Sequence, residues 1–173
     1  MLNPPPLAPS PRYSTTSLIL ALVLASAPAC ASPKVTMDAA TLTAFADRYT
    51  AAWRSQDPAR VATFFAPNGS LTINAGASSV GREAIAAAAR GFMTAFPDLV
   101  VRMDSVRAVG SGAVYHWTLT GTNTGPGGSG RPVRISGYEE WTFGADGLVA
   151  TSLGHYDEAV YQRQLAGGTT SPP

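Results

Sequence analysis

One cysteine, two histidines and charged residues at only 13% of the chain leave little from which to build several common kinds of site. The single cysteine, Cys30, excludes a disulfide within the chain. His116 and His155 have neither a cysteine partner nor an HxH spacing, so no metal centre is expected. No basic stripe or run of like charge occurs, which argues against nucleic acid and anionic membrane surfaces as partners. A phosphate-cradling glycine loop and a nucleophile elbow are both missing, so nucleotide binding and serine-hydrolase chemistry have no residues to carry them. The apolar run Leu18 to Ala25 is too short to cross a bilayer. What is present is 45% hydrophobic residues in 173, enough for the core of one domain.

The stretch "SLILALVLASAPACAS" joins that apolar run to small residues, the pattern of an export signal. Residues 1–31 are therefore set aside as a leader, 32–37 as a short linker and 167–173 as a disordered tail, leaving a domain over 38–166. "APAC" resembles a lipobox, with Ala27 where Leu is usual and Pro28 before the Ala–Cys step. Two outcomes stay open: lipidation of Cys30, or simple cleavage after Ala29 or Ala31. Both expect a periplasmic or extracellular protein whose one link to a membrane would be a lipid at Cys30. Loss of the leader removes Arg12 and leaves eleven Lys and Arg against eleven Asp and Glu, a formally neutral domain.

From Asp38, the residues Leu42, Phe45, Tyr49, Ala52 and Trp53 recur at steps of three and four, which marks an amphipathic helix ending near Gln56. Asp57 then reads as an N-cap with Pro58 at the first helical position. Val61, Phe64 and Phe65 form the stripe of a short second helix that Pro67 stops. "SLTIN" at 70–74 is a short strand, and a third helix carries Ile85, Ala88, Ala89, Phe92 and Phe96 up to Pro97. The period then changes to two, with strands at Leu99–Val109, Ala113–Thr122, Val133–Phe143 and Leu148–Tyr156. "GSG" at 110–112 and "GADG" at 144–147 suit hairpins, and "NTGPGGSGRP" at 123–132 reads as a longer, flexible loop. Helices first and a meander after them give an α+β domain, one antiparallel sheet covered on one face.

The segments "YTAAWRSQDPARVATFFAPNG", "GREAIAAAARGFMTAFPDL", "HWTLTGTNTG" and "EEWTFGADGLVATSLGHYD" resemble the SnoaL-like branch of the nuclear transport factor 2-like superfamily over residues 40–166. That resemblance implies a conical barrel, three N-terminal helices packed on one strongly curved antiparallel sheet, with a pocket inside the cone. It also implies a homodimer through the outer sheet face. Relatives include polyketide cyclases, isomerases, small-molecule binders and non-catalytic partner subunits. In the cyclases an Asp on the last strand acts as acid and base, supported by a His on the preceding strand. Those positions fall here on Gly154 and Glu139, and Gly154 can transfer no proton.

Strand parity places Val133, Ile135, Gly137, Glu139, Trp141 and Phe143 on one face, and Arg134, Ser136, Tyr138, Glu140 and Thr142 on the other. The first set is apolar except for Glu139 and should face the helices. With "GADG" as the turn, Ala150, Ser152, Gly154 and Tyr156 share that face, as do Tyr115, Trp117 and Leu119 from the neighbouring strand. His116 and His155 point outward on the same count, and Asp157 reads as a cap or turn after the last strand.

The expected cavity is walled by Trp53, Tyr115, Trp117, Trp141 and Tyr156, backed by Phe65, Phe92 and Phe96, with Glu139 as its acid. Desolvation would raise the pKa of that acid toward the range of a general base. Three readings of Glu139 stand open: an acid in the pocket, an ion pair with Arg48 or Arg102, or a bulge that turns it outward and Glu140 in. The leading functional expectation is binding of a small, mostly apolar molecule without a cofactor. The alternatives are an isomerase- or cyclase-type enzyme using Glu139, with Tyr115 or Tyr156 as enolate-stabilising donor, and a non-catalytic dimerisation module.

Overall fold

The computed structural model describes residues 37–167. The expected export signal, Cys30, the linker up to residue 36 and the tail beyond Gly167 lie outside the described residues.

Helix α1 runs Ala39–Arg54 and is started by Asp38, whose Oδ1 accepts from Thr41 N at 2.9 Å and whose Oδ2 accepts from the Thr41 hydroxyl at 2.7 Å. Its buried face holds Leu42, Phe45, Tyr49, Ala52 and Trp53, the stripe expected from the sequence, together with Ala46 and Thr50. Asp57 caps α2 (Pro58–Ala62), accepting from Ala59 N at 3.0 Å.

Helix α2 ends at Ala62, and Phe65 opens strand β1 (Phe65–Ile73) instead of extending a helical stripe. The cause is tertiary: Phe64 O accepts from Val149 N at 2.9 Å, which ties the chain to the last strand. Pro67 falls inside β1 at an irregularity, because the pairing jumps from Phe65 opposite Val149 to Ser70 opposite Thr151. A residue without an N–H is tolerated where the ladder is already broken. Gly69 belongs to the same bulge; a Cβ there would lie 2.7 Å from Val149 O.

A two-residue strand β2 (Ser79–Val80) pairs with β1 and leads into α3 (Gly81–Ala95), which buries Ile85, Ala89 and Met93. The meander follows as β3 (Val100–Val109), β4 (Gly112–Thr122), β5 (Pro132–Phe143) and β6 (Val149–Tyr156), each within a residue of the expected bounds. The six strands form one curved sheet in the order β2-β1-β6-β5-β4-β3. The meander is antiparallel, as its hairpins require, but β1 pairs with β6 in parallel, so the sheet is mixed and not wholly antiparallel. The loop after β4 is laced down and not loose: Asn123 accepts from Ser129 N at 2.7 Å and donates to Ala95 O at 3.2 Å.

A fourth helix, α4 (Glu158–Ala166), was not legible in the sequence, where no strong apolar stripe marks it. Asp157 is its N-cap, accepting from Val160 N at 2.9 Å, so the capping reading of this residue holds. The helix also repairs an edge. Pairing of β6 with β5 starts at Gly137, and beyond that point the Gln164 amide accepts from Arg134 N at 2.6 Å and donates to Arg134 O at 2.8 Å. Asp157→Ala should cost about 1 kcal/mol, the usual loss with an N-cap. Urea denaturation checks this, and no change in midpoint would show that α4 is held by its packing alone.

Candidate functional site

Between α1, α3 and the concave face of the sheet lies a cavity lined by Trp53, Leu71, Ile73, Phe92, Val101, Tyr115, Trp117, Leu119, Glu139, Gly154 and Tyr156. Its space measures about 50 Å³, and about 510 Å³ when the mouth out to solvent is counted. Ile73, Phe92, Trp117 and Tyr156 are half-buried and form the mouth.

Glu139 is the carboxylate of this wall. It sits on β5 directly opposite Tyr115 on β4 and Gly154 on β6, and is 6% exposed. Register is continuous through it, and the irregularity comes later, between Thr142 and Phe143. The bulge reading is thereby overturned, with Glu140 on the outer face. The ion-pair reading is overturned as well. Arg102 lies 2.7 Å from Asp104, and Arg48 is exposed on α1.

In place of a cation, three neutral donors hold the carboxyl. Trp141 Nε1 donates to Oε2 at 2.9 Å, Ser152 Oγ to Oε2 at 2.7 Å, and the Tyr49 hydroxyl reaches Oε2 at 3.1 Å and Oε1 at 3.3 Å. Oε2 is thus crowded, while Oε1 has one long contact. Burial pushes the Glu139 pKa up, against the lowering effect of the Trp141, Ser152 and Tyr49 hydrogen bonds. Burial also lifts the Tyr49 and Tyr115 hydroxyls well above the ordinary phenol range, so both are neutral.

Of the expected wall residues, Trp53, Tyr115, Trp117, Tyr156 and Phe92 line the cavity together with Glu139. Trp141, Phe65 and Phe96 do not. Trp141 is turned into the core, stacked on Tyr115 at 4.8 Å with its N–H given to Glu139. Phe65 packs edge-on to Tyr49 at 6.3 Å, and Phe96 meets Tyr161 at 6.3 Å. Both are wholly buried, too deep to touch an occupant. Tyr49 was read only as part of a helical stripe; its place one turn before Trp53 on the same face was the available signal. Val101, Leu71 and Ile73 were also missed as lining residues; the last two lie on β1, a strand expected at 70–74 whose parallel pairing with β6 the sequence did not announce.

The two tyrosines expected to stabilise an enolate are engaged elsewhere. The Tyr115 hydroxyl is 2.7 Å from the Thr50 hydroxyl, and burial, with the Glu158 carboxylate nearby, raises the Tyr156 hydroxyl above the ordinary phenol range. His116 and His155 lie on the outer face, as parity required. There Tyr138 stacks on His155 at 4.7 Å and lies 5.7 Å from His116. His155 Nε2 is 3.3 Å from Glu140 Oε1, but the angles do not make that contact a hydrogen bond.

Known proteins match this architecture. A hypothetical protein with a ketosteroid isomerase-like fold from Catenulispora acidiphila, solved with trimethylamine, superposes with a TM-score of 0.63 at 18% identity, over 75% of this chain and 97% of that one. A candidate SnoaL-like polyketide cyclase from Jannaschia sp. gives 0.63 at 21% identity, over 80% of this chain and 100% of its own. A phenazine biosynthesis-related protein from Pseudomonas aeruginosa gives 0.60 at 14% identity, over 76% and 92%. At such identities the likeness concerns the fold alone. No curated protein sequence matches the chain. Residues 46–152 match the SnoaL-like domain model, and with the cone, the helices and the mixed sheet around Glu139 this chain belongs to the SnoaL-like domain family of the nuclear transport factor 2-like fold.

Proposed function

We propose that the domain binds a small, largely apolar molecule inside its cone, with the Glu139 carboxyl as the polar anchor. The observation that carries this reading is the cavity wall: aromatic and aliphatic side chains throughout, interrupted by one carboxyl whose Oε2 is fully engaged and whose Oε1 is not. Apolar walls with few polar groups are the usual composition of small-molecule sites. Burial shifts the Glu139 carboxyl toward its neutral form, which suits an uncharged ligand better than an ionised group would. The enclosed space is well below the several hundred cubic ångströms of drug-sized sites, so the occupant is small or turns Phe92, Trp117 and Tyr156 outward on entry. A protein of similar fold was solved in complex with a small molecule, trimethylamine.

Gly154 offers a clean test. A Cβ built there stays 3.6 Å from Thr72 O and 3.7 Å from Glu139 Cγ, ordinary contact distances, so a larger residue fits the backbone and fills the cavity. Neutral ring compounds from cyclopentane to naphthalene size should perturb tryptophan fluorescence, because Trp53 and Trp117 line the site. Gly154→Val should weaken that binding at least about tenfold while the protein stays folded. Absence of binding across the series, or equal binding by folded Gly154→Val, would overturn the proposal.

A further inference from the structure

The chain holds four asparagines, and their surroundings differ. Asn74 is fixed at both ends of its amide: Oδ1 accepts from Tyr156 N at 3.0 Å, and Nδ2 donates to Glu158 at 3.5 Å. Asn123 is fixed likewise, with Oδ1 accepting from Ser129 N at 2.7 Å and Nδ2 donating to Ala95 O at 3.2 Å. Asn3, outside the described residues, precedes Pro4, whose ring nitrogen carries no hydrogen. Asn68 has neither protection. It is exposed, its side chain makes no hydrogen bond among the described residues, and Gly69 follows it. It also stands where the ladder is interrupted: Phe65 pairs with Val149 and Ser70 with Thr151, so residues 66–69 lie opposite Ala150 alone.

We infer that Asn68 is a site of spontaneous deamidation, and that its isoaspartate product loosens the seat of β1 beside β6. The Gly69 amide nitrogen attacks Asn68 Cγ, its electron pair forming the new N–C bond while the bond from Cγ to the side-chain nitrogen breaks. That nitrogen leaves as ammonia, taking up the Gly69 proton. Water then opens the cyclic imide at one carbonyl or the other, giving aspartate or isoaspartate, and no oxidant or cofactor enters. Glycine suits the attacking position because no Cβ screens its nitrogen. Asn74 and Asn123 would have to give up the hydrogen bonds that hold them. Either product adds a carboxylate to the formally neutral domain. Isoaspartate also runs the backbone through the former side chain, one methylene longer. The bulge is too tight for that: a Cβ at Gly69 would already lie 2.7 Å from Val149 O and 3.0 Å from Ala66 O. The added length falls just ahead of Leu71 and Ile73, which line the cavity.

Incubation of the full chain at about 37 °C, at about pH 6 and about pH 8, followed by tryptic digestion, reads the modification directly. Cleavage after Arg60 and Arg82 releases residues 61–82, which contain Asn68 and Asn74 and no Asp or Glu. That peptide should gain about 1 Da in ordinary water and about 3 Da in ¹⁸O-enriched water, faster at the higher pH, with fragment ions placing the change on Asn68. The same peptide of Asn68→Ser should gain nothing. No mass gain in the wild type, or a gain shared equally between Asn68 and Asn74, would overturn the assignment. The deamidated fraction, separated by ion exchange, should unfold at a lower urea concentration than Asn68→Asp, which carries the same charge on an unaltered backbone. Equal midpoints would overturn the effect on β1 and leave the modification site standing.

Discussion

Replacing Trp141 by alanine should destabilise the domain by about 4 kcal/mol, in the range found for truncating large buried aromatic side chains. Its indole is 2% exposed and stacks on Tyr115 at 4.8 Å with an interplanar angle of 14°, while Tyr49 and Phe45 meet it edge-on at 5.2 and 5.7 Å. These rings come from α1, β4 and β5, so the alanine variant opens a hole where helix and sheet are joined. Its N–H also supplies one of three bonds to Glu139, and that loss adds to the packing term. Trp141→Phe separates the two parts. It keeps most of the packing volume and forfeits the N–H, and it should cost about 1–2 kcal/mol. Denaturant titration of the three proteins at one pH measures both differences, with the slope unchanged if only stability moves. A loss below about 2 kcal/mol for the alanine variant would mean that neighbouring rings collapse into the space, and that the aromatic layer is less rigid than its geometry implies.

The parts of this site that could be read from sequence are those fixed by local periodicity. Parity along β5 put Glu139 with Ile135 and Trp141 because successive side chains must alternate; the short turn to β6 kept that alternation in phase, and β4 pairs with β5 in continuous register across a longer loop. Helix α1 was legible for the same reason, since its stripe and Asp38 both follow from neighbours in the chain. What escaped was set by distant contacts. Phe65 left the helix because Val149 claims the backbone beside it, and the direction of β1 is decided by docking next to β6. Helix α4 is held by Gln164 on Arg134, and no amphipathic pattern signals such a bond. Trp141 and Trp117 share a face by parity, yet one is core and the other wall. That difference depends on Gly137 admitting one ring and Tyr115 stacking the other.

Removing the Glu139 side-chain oxygens altogether, as in Glu139→Leu, should cost about 3 kcal/mol, because Trp141 Nε1, Ser152 Oγ and the Tyr49 hydroxyl are then buried donors with no acceptor. Glu139→Gln should cost far less. It keeps an acceptor for Trp141, and no cation is left unpaired by the loss of a charge. The comparison between wild type and Glu139→Gln then isolates the titration of one carboxyl, since every other group is common to both. Desolvation raises the folded pKa above the ordinary 4.5, so the folded state holds the proton more tightly than the unfolded chain does. Stability from the neutral carboxyl is therefore fully present below pH 4.5, is lost as pH rises through the folded pKa, and is constant above it. Between pH 4 and 8 the wild type should lose ground against Glu139→Gln, most steeply on the acid side of the folded pKa. The opposite slope, wild type gaining as pH rises, would mean that the three donors outweigh burial and hold an ionised carboxylate. Glu139 would then act toward any ligand as an acceptor and not as a donor.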